Sequence, residues 1–299
     1  MKPQSITGAT RLVGLLGNPV AHSLSPVIHN HIYATLGIPL AYVPLAVGSH
    51  QLHTAVLSLR AAGFAGANVT IPHKQAVVPY CDVVSSLSAL TGTVNTLYFK
   101  DSILHGTTTD WEGFSRALKK AGIDEKNGDI VILGNGGTAR TFAFALASQK
   151  IPARLTLVGR DHGRVSGLAA EITRKTCFPV AAELFSSDKL KSVMDKCTLC
   201  INCTSVGMHP NAGDSPLDGR FFHKGIAVFD TVYNPAQTTL CRQAEKAGCA
   251  CQGGLAMLVY QALASCAYWI GREVDESIID MAELRALVDA PLLQPGNHA

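Results

Sequence analysis

Lys74 stands at the end of the segment Asn68-Val69-Thr70-Ile71-Pro72-His73-Lys74, where an apolar strand gives way to a proline. Read as chemistry, a lysine in such a place is an acid–base group; read as structure, it is a solvated side chain at the start of a helix, where a cation opposes the helix dipole. Asp110 closes Gly106-Thr107-Thr108-Thr109-Asp110 and is either a partner for that lysine or a helix cap. Asn95, in the run GTVNT, is a strand-end amide by the same plain reading. Ser23 and Ser25 in His22-Ser23-Leu24-Ser25-Pro26 are two hydroxyls, one residue apart, at a helix start. Together they can hydrogen-bond a carboxylate, although Ser25 also suits an N-cap ahead of a proline in the first helical turn.

A second kind of site is written in Asp129–Leu146, DIVILGNGGTARTFAFAL. An apolar β-branched run is followed at once by Gly134, Asn135, Gly136, Gly137, Thr138 and Ala139, and then by apolar residues at helical spacing. Gly134 permits the tight turn, Gly136 leaves room for a pyrophosphate, and Ala139 lets the helix pack on the strand. The unpaired N–H groups of the helix start then face the phosphates. Such turns also occur without a ligand; the flanking strand and helix favour a dinucleotide site.

These residues need elements to hold them. From Arg11 the chain alternates apolar runs with amphipathic segments (RLVGLLG, 26–36, AYVPLAV, 51–62, GANVTI, 73–84), which predicts βαβ units and a mainly parallel sheet over about residues 1–110. The alternation resumes with DIVIL, ARLTLVG, CTLCINC and GIAVFD, which predicts a Rossmann-type domain over 111–253. After Gly254 the spacing is helical, with no strand to feed, so 254–299 is expected to complete the first domain. The fold class is therefore α/β with two domains.

At 299 residues with 47% hydrophobic and 16% charged content, the chain can bury two cores. A formal charge of +3 with no basic run points away from nucleic acid and from anionic membranes, and toward a small-molecule partner. The longest apolar stretch, Ala256–Ile270, is interrupted by Gln261 and Ser265 and is shorter than a membrane span, and the first residues lack an apolar signal region; a cytoplasmic protein is expected. Nine scattered cysteines suit reduced thiols. The spacing Cys197-x2-Cys200-x2-Cys203 is that of iron–sulfur ligands, but the run is apolar and strand-like and no fourth cysteine follows closely, so no metal is expected.

In order and spacing, GNPVAHSLSP, NVTIPHK, GTVNT, GTTTD, GNGGTAR, INCTSVGM, DTVYNP and GGLAMLVYQA resemble the shikimate dehydrogenase family over about Leu12–Trp269. The resemblance implies NADPH-dependent reduction of 3-dehydroshikimate to shikimate, in aromatic amino acid biosynthesis, across a cleft between a substrate domain and a Rossmann domain. It also implies that Lys74 and Asp110 form the catalytic dyad, that Ser23 and Ser25 hold the substrate carboxylate, and that Thr70, Asn95 and Gln261 hold its hydroxyls. Tyr233 would close over the substrate, and Gly254 and Met257 would line the cofactor site with the glycine turn. A monomer or homodimer is expected.

Two places depart from the family pattern. Thr108 stands where the family commonly has asparagine. Where NADP-using members commonly show N-R-T-x-x-R or K, this chain has Gly159-Arg160-Asp161-His162-Gly163-Arg164. Arg160 and Arg164 suit a 2′-phosphate, whereas Asp161 repels it, bonds a free ribose 2′-hydroxyl, or merely caps a helix. NADP is the expected cofactor, with NAD the alternative. A quinate or aminoshikimate enzyme and a non-catalytic nucleotide sensor are the competing functions; keeping both Lys74 and Asp110 argues against the sensor.

Overall fold

The computed structural model describes residues 6–124 and 126–288; residues 1–5, 125 and 289–299 of the expected domains lie outside the described residues. The chain divides into two compact units, one of residues 1–112 with 259–299 and one of residues 113–258. The sequence pattern puts the joins at 110/111 and 253/254; the observed division falls inside two helices instead.

The first unit contains β1 (Arg11–Gly17), α1 (Ser25–Leu36), β2 (Leu40–Ala46), α2 (Leu52–Ala61), β3 (Gly66–Val69), β4 (Val83–Val84), α3 (Ser86–Thr91), β5 (Thr96–Lys100) and β6 (Ile103–Thr107). The helix α4 (Asp110–Lys120) leads into the second unit. The sheet order is β2-β1-β3-β5-β6-β4. The β1–β2, β1–β3 and β4–β6 pairs are parallel, while β3–β5 and β5–β6 are antiparallel. The sheet is thus mainly parallel, with one reversal that the strict βαβ reading of the sequence does not contain. That hairpin turns at Asp101 and Ser102, both at positive φ, where short polar side chains are tolerated.

A further correction concerns residues 73–84, expected as an amphipathic segment with a helix starting at Lys74. They form turns, a 3₁₀ segment at Val78–Tyr80 and β4. Proline at 72 and again at 79 limits helix formation on both sides, and Val77 alone is fully buried among Val77, Val78, Val83 and Val84. Under this sheet, Leu16, Val56, Leu59, Val69, Val94, Leu97 and Leu104 form the core.

The second unit holds β7 (Asp129–Leu133), α5 (Gly137–Ser148), β8 (Arg154–Gly159), α6 (His162–Thr176), β9 (Val180–Leu184), α7 (Leu190–Met194), β10 (Leu199–Asn202), β11 (Ala227–Asp230), α8 (Thr239–Lys246) and β12 (Ala250–Gly253). Its sheet order is β12-β11-β10-β7-β8-β9, all parallel. The order reverses between β7 and β10, which is the switch point at which open α/β sheets bind ligands. The chain then returns through α9 (Leu255–Ile270), where the second division falls, to α10 (Met281–Val288) in the first unit.

Cysteine usage differs from expectation at one place. Cys241 on α8 and Cys251 on β12 form a disulfide with Cα atoms 5.6 Å apart, because the α8–β12 turn folds the two elements side by side. Cys197 and Cys200 are buried in the β10 region, and burial pushes the Cys197 thiol up to about 12, the behaviour of packed apolar groups.

Helices α5 and α6 are clamped by Arg140, whose guanidinium donates two hydrogen bonds to Glu171 at 2.7 and 2.5 Å and lies over the Phe144 ring. Hydrogen bonding from Arg140, with help from Lys175, holds the Glu171 carboxyl at about 2, below its ordinary 4.5. A lowered carboxyl pKa stabilises the fold fully above the unfolded value, and this contribution is lost as pH falls from 4.5 through about 2. Glu171→Gln is therefore expected to lower stability by roughly 1–2 kcal/mol at neutral pH. In urea titrations the gap from the parent should close on acidification toward pH 2; a gap that stays constant down to that pH would refute the clamp.

Candidate active site

The carboxyl edge of the first sheet gathers its polar residues for a topological reason. β1 and β3 run parallel, so Gly17 and Val69 end side by side, and the Asn18 amide donates to the Ile71 carbonyl at 2.9 Å. Because β5 runs against β3, its start lies at that same edge, and the Val69 amide donates to Asn95 O at 2.8 Å. β6 runs back again, so Thr108, Thr109 and Asp110 return to the edge that holds Asn95. The antiparallel hairpin is what brings residues 95 and 110 together.

Lys74 lies in the turn after Pro72, and its carbonyl accepts from the Val94 amide at 2.8 Å, tying the lysine loop to the strand start that carries Asn95. Its Nζ is 2.5 Å from Asp110 Oδ2; the two side chains are 15% and 6% exposed. The other carboxylate oxygen accepts from Asn95 Nδ2 at 2.8 Å. Asn95 Nδ2 also donates to Thr109 Oγ1 at 3.0 Å and, at the limit of hydrogen bonding, to Gln261 Oε1 at 3.5 Å. Lys74, Asp110, Asn95 and Gln261, four residues spread over the sequence from 74 to 261, thus form one polar constellation. Thr70, just past β3, donates its amide to Leu16 O at 2.9 Å and places its methyl group against Gly17.

Ser25 is not the N-cap of α1. It is the first helical residue, Leu24 occupies the cap position, and the Ser25 amide donates to Ser23 Oγ at 3.2 Å. Pro26 explains the shift, since a proline is accepted anywhere in the first turn. Ser23, which has no structural role readable from sequence, is the residue that satisfies the helix start, while Ser25 is buried. Thr108 is also buried, and its hydroxyl makes no hydrogen bond in the structure.

Residues that sequence reasoning missed sit behind this constellation. Asn68, Thr96, Thr109 and Ser265 are all nearly fully buried and hydrogen-bonded to one another or to Asn95. Their signal was present: a polar residue inside an otherwise apolar strand or helix must find a partner when buried.

In the second unit the glycine turn follows β7 at the switch point. Gly134 has φ of +108°, and a side chain there would press on Cys203 O at 3.2 Å, in the loop after β10. That loop is held by Asn202, whose Oδ1 accepts from the Thr204 amide at 2.9 Å and whose Nδ2 donates to Asp230 at 2.9 Å. A Cβ on Gly136 would meet nothing within 4 Å, and this residue caps α5 with no side-chain bond to the helix amides. Asn135 and Thr138 are part-buried beside it, Gly137 opens α5, and Ala139 is fully buried. The turn therefore offers open space in front of the N–H groups of a helix start, which fits a pyrophosphate.

Arg160 and Arg164 follow β8 and are exposed. Asp161 caps α6, accepting from the Arg164 amide at 3.0 Å, and its other oxygen lies 3.6 Å from Arg164 Nε. Tyr233 lies in the loop after β11. Gly254 precedes α9 with no room for a side chain, since a Cβ would approach Thr231 O to 2.4 Å, and Met257 is buried on α9. Among the described residues no cluster of three or more metal-ligating side chains is present, and no helix is long and apolar enough to cross a membrane.

A family model described as the shikimate dehydrogenase substrate binding domain matches residues 15–97. A curated shikimate dehydrogenase (NADP(+)) of Moorella thermoacetica is 40% identical over 275 residues, covering 92% of this chain and 93% of that protein. The crystal structure of shikimate 5-dehydrogenase from Listeria monocytogenes, in complex with shikimate and NAD, matches with a TM-score of 0.85 at 30% identity, over 96% of this chain and 99% of that one. That of shikimate 5-dehydrogenase from Thermus thermophilus, in complex with NADP(H) and shikimate, matches with a TM-score of 0.82 at 32% identity, over 93% of this chain and 100% of that one.

The close approach of β1 to the lysine loop makes Gly17 a sensitive position. A Cβ there would lie 2.4 Å from Thr70 Cγ2, 2.9 Å from Val20 Cγ1 and 3.1 Å from the Ile71 carbonyl. Gly17→Ala is expected to cost about 2 kcal/mol by forcing these groups apart. Thermal unfolding that matches the parent would show that the loop yields freely.

Proposed function

Because the chain belongs to the shikimate dehydrogenase family, we propose that it catalyses the reversible, NADPH-dependent reduction of 3-dehydroshikimate to shikimate, with Lys74 and Asp110 as its acid–base pair. The single observation that carries this reading is the short, largely buried contact between Lys74 Nζ and Asp110 Oδ2, 2.5 Å long and at the carboxyl edge of the first sheet. A solvated surface lysine has no need of such a partner.

The first unit supplies the substrate side. A carboxylate suits Ser23 and Ser25 at the α1 start, and ring hydroxyls suit Thr70, Asn95 and Gln261, which lie along the same edge or on α9. As the ketone becomes an alcohol, negative charge grows on its oxygen; the Lys74 ammonium stabilises that charge and donates the proton. Asp110 orients the ammonium and Asn95 orients Asp110. In the oxidative direction the neutral amine takes the proton back. Tyr233 is assigned to cover the substrate.

The second unit is assigned to NADP, which when bound supplies the hydride. Gly134, Asn135, Gly136, Gly137, Thr138 and Ala139 would hold its pyrophosphate, Gly254 and Met257 its nicotinamide end, and Arg160 and Arg164 its 2′-phosphate. Asp161 is engaged in capping α6 and faces Arg164, so its carboxylate is partly neutralised where an unengaged one would repel the phosphate.

Lys74→Ala is expected to lower turnover about a hundredfold to ten-thousandfold while leaving NADPH binding near the parent value. Turnover at the parent rate would remove Lys74 from the mechanism. Replacing Arg160 and Arg164 together by alanine should raise the KM for NADPH about tenfold or more, with the KM for NADH little changed. Equal effects on both cofactors would place the arginines away from the 2′-phosphate. Assayed in the oxidative direction, shikimate should be strongly preferred to quinate; equal kcat/KM values would make Thr108, with its unbonded hydroxyl, the first residue to exchange.

A further inference from the structure

We infer that Ser265 is a positioning residue for the Lys74–Asp110 pair: its hydroxyl closes a ring of hydrogen bonds that braces the Asn95 amide, whose NH₂ group lies on the Asp110 carboxylate. The inference rests on the acid–base reading of that pair, and it is carried by donor and acceptor chemistry alone.

One donor in the network cannot be reversed. The backbone N–H of Thr109 donates to Asn95 Oδ1 at 2.8 Å, so the oxygen end of that amide is fixed and the NH₂ end faces Asp110 Oδ1. Thr96 Oγ1 lies 2.9 Å from Asn95 Oδ1, an oxygen that can only accept, so the Thr96 hydroxyl spends its single proton there. Thr96 must then accept from Ser265 Oγ, 2.9 Å away. Having given its proton to Thr96, Ser265 accepts from Thr109 Oγ1 at 3.0 Å, and Thr109 in turn accepts from Asn95 Nδ2 at 3.0 Å. The shortest contacts run from Ser265 to Thr96, to the oxygen of Asn95, and from the nitrogen of Asn95 to Thr109 and back to Ser265, and longer contacts of 3.3 Å from Thr109 Oγ1 to Asn95 Oδ1 and Thr96 Oγ1 cross the ring. Asn68 Nδ2 donates to the Asn95 carbonyl at 2.9 Å and lies 3.1 Å from both Thr96 Oγ1 and Ser265 Oγ, and Tyr42 Oη donates to Asn68 Oδ1 at 2.8 Å, which fixes that amide as well.

The ring is sealed: Ser265 and Thr96 are 0% exposed, Thr109 1% and Asn95 3%. No bulk water can replace a lost member, so removing the Ser265 hydroxyl takes from Thr96 its 2.9 Å donor and from Thr109 its 3.0 Å acceptor, and leaves them the longer contacts with Asn68 Nδ2 at 3.1 Å and with Asn95 Oδ1 at 3.3 Å. The Asn95 amide then keeps its Thr109 N–H and Asp110 contacts but loses the support of two well-placed threonine hydroxyls, and its NH₂ group is held less tightly on the Asp110 carboxylate.

The test compares Ser265→Ala, Thr96→Val, their double variant, and Cys266→Ala as a control that removes a buried atom of the neighbouring residue outside the ring. Per folded molecule, Ser265→Ala and Thr96→Val should each lower kcat roughly tenfold with the KM for NADPH unchanged, and Cys266→Ala should keep the parental kcat. The double variant should lose no more than about tenfold, since either change opens the same ring. A parental kcat in folded Ser265→Ala, or a double variant that loses about a hundredfold as independent sites would, overturns the inference. A readout free of activity is hydrogen exchange of the Asn95 side-chain NH₂ followed by NMR. Faster exchange in Ser265→Ala or Thr96→Val than in Cys266→Ala supports the ring, and equal exchange overturns it. Parental turnover in Lys74→Ala would defeat the acid–base reading alone, because the exchange measurement still decides the ring.

Discussion

An ammonium and a carboxylate withdrawn from water impose conditions on everything around them. Lys74 and Asp110 lose most of their hydration, and the attraction between them offsets that loss only if the remaining valences of each are filled. Asp110 meets this condition with one oxygen on Lys74 and the other on Asn95. Asn95 in turn is a buried amide with its own donors and acceptors to satisfy, and so the demand passes to Thr96, Thr109 and Gln261. The antiparallel hairpin β5–β6 is the feature of the fold that meets it. A purely parallel sheet would deliver one strand end per crossover, whereas the hairpin returns the chain to the same edge within a dozen or so residues.

The second unit solves a different problem with the same means. Its loops after β10 and β11 must hold their shape beside an open glycine turn, and they do so through Asp230, a fully buried carboxyl that accepts from Asn202, Thr238 and the Val232 amide. Burial pushes this carboxyl up from its ordinary value, while the three donors pull the other way. Asn202 then shapes the 203–206 loop against Gly134, and Thr238 caps α8. A group that costs free energy to bury thus fixes two loops at the switch point of the sheet.

How much of this was legible in the sequence depended on the range of the interaction. The strand, turn and helix at 129–148 were readable because glycine, β-branched and helical signals there are local and agree. The polar residues at strand ends were readable as candidates for the same reason. Their meeting was not, since the pairing of β5 with β3 and of β6 with β5 leaves no periodic trace in a segment as short as Thr96–Thr107. Lys74 was misplaced on a helix because residues 73–84 were read as one amphipathic segment; the prolines at 72 and 79 were the better guide. Ser25 was misread as a cap because Pro26 suits the second helical position as well as the first, so the helix starts one residue earlier. The Cys241–Cys251 pairing depends on how α8 folds against β12, which spacing alone does not reveal.

Helix α9 shows why the site needs the far end of the chain. Gln261, Ser265 and Trp269 recur every fourth residue, so they share one face of the helix. Each lands on the edge of the sheet that builds the site: Gln261 against Asn95, Ser265 against Thr96 and Thr109, and Trp269 with its indole N–H on the Leu97 carbonyl at 2.9 Å. The tryptophan fits only because residue 66 is glycine; a Cβ there would lie 2.4 Å from Trp269 Nε1. That contact fixes the register of the whole helix, since a slip of one residue would turn this face by about 100° and carry the serine away from both threonines. The apolar residues of α9 give it affinity for the sheet but no preferred rotation. A glycine–tryptophan contact at one end and a satisfied hydroxyl in the middle supply that rotation, which is the argument for counting the two interruptions of an apolar run as part of the site.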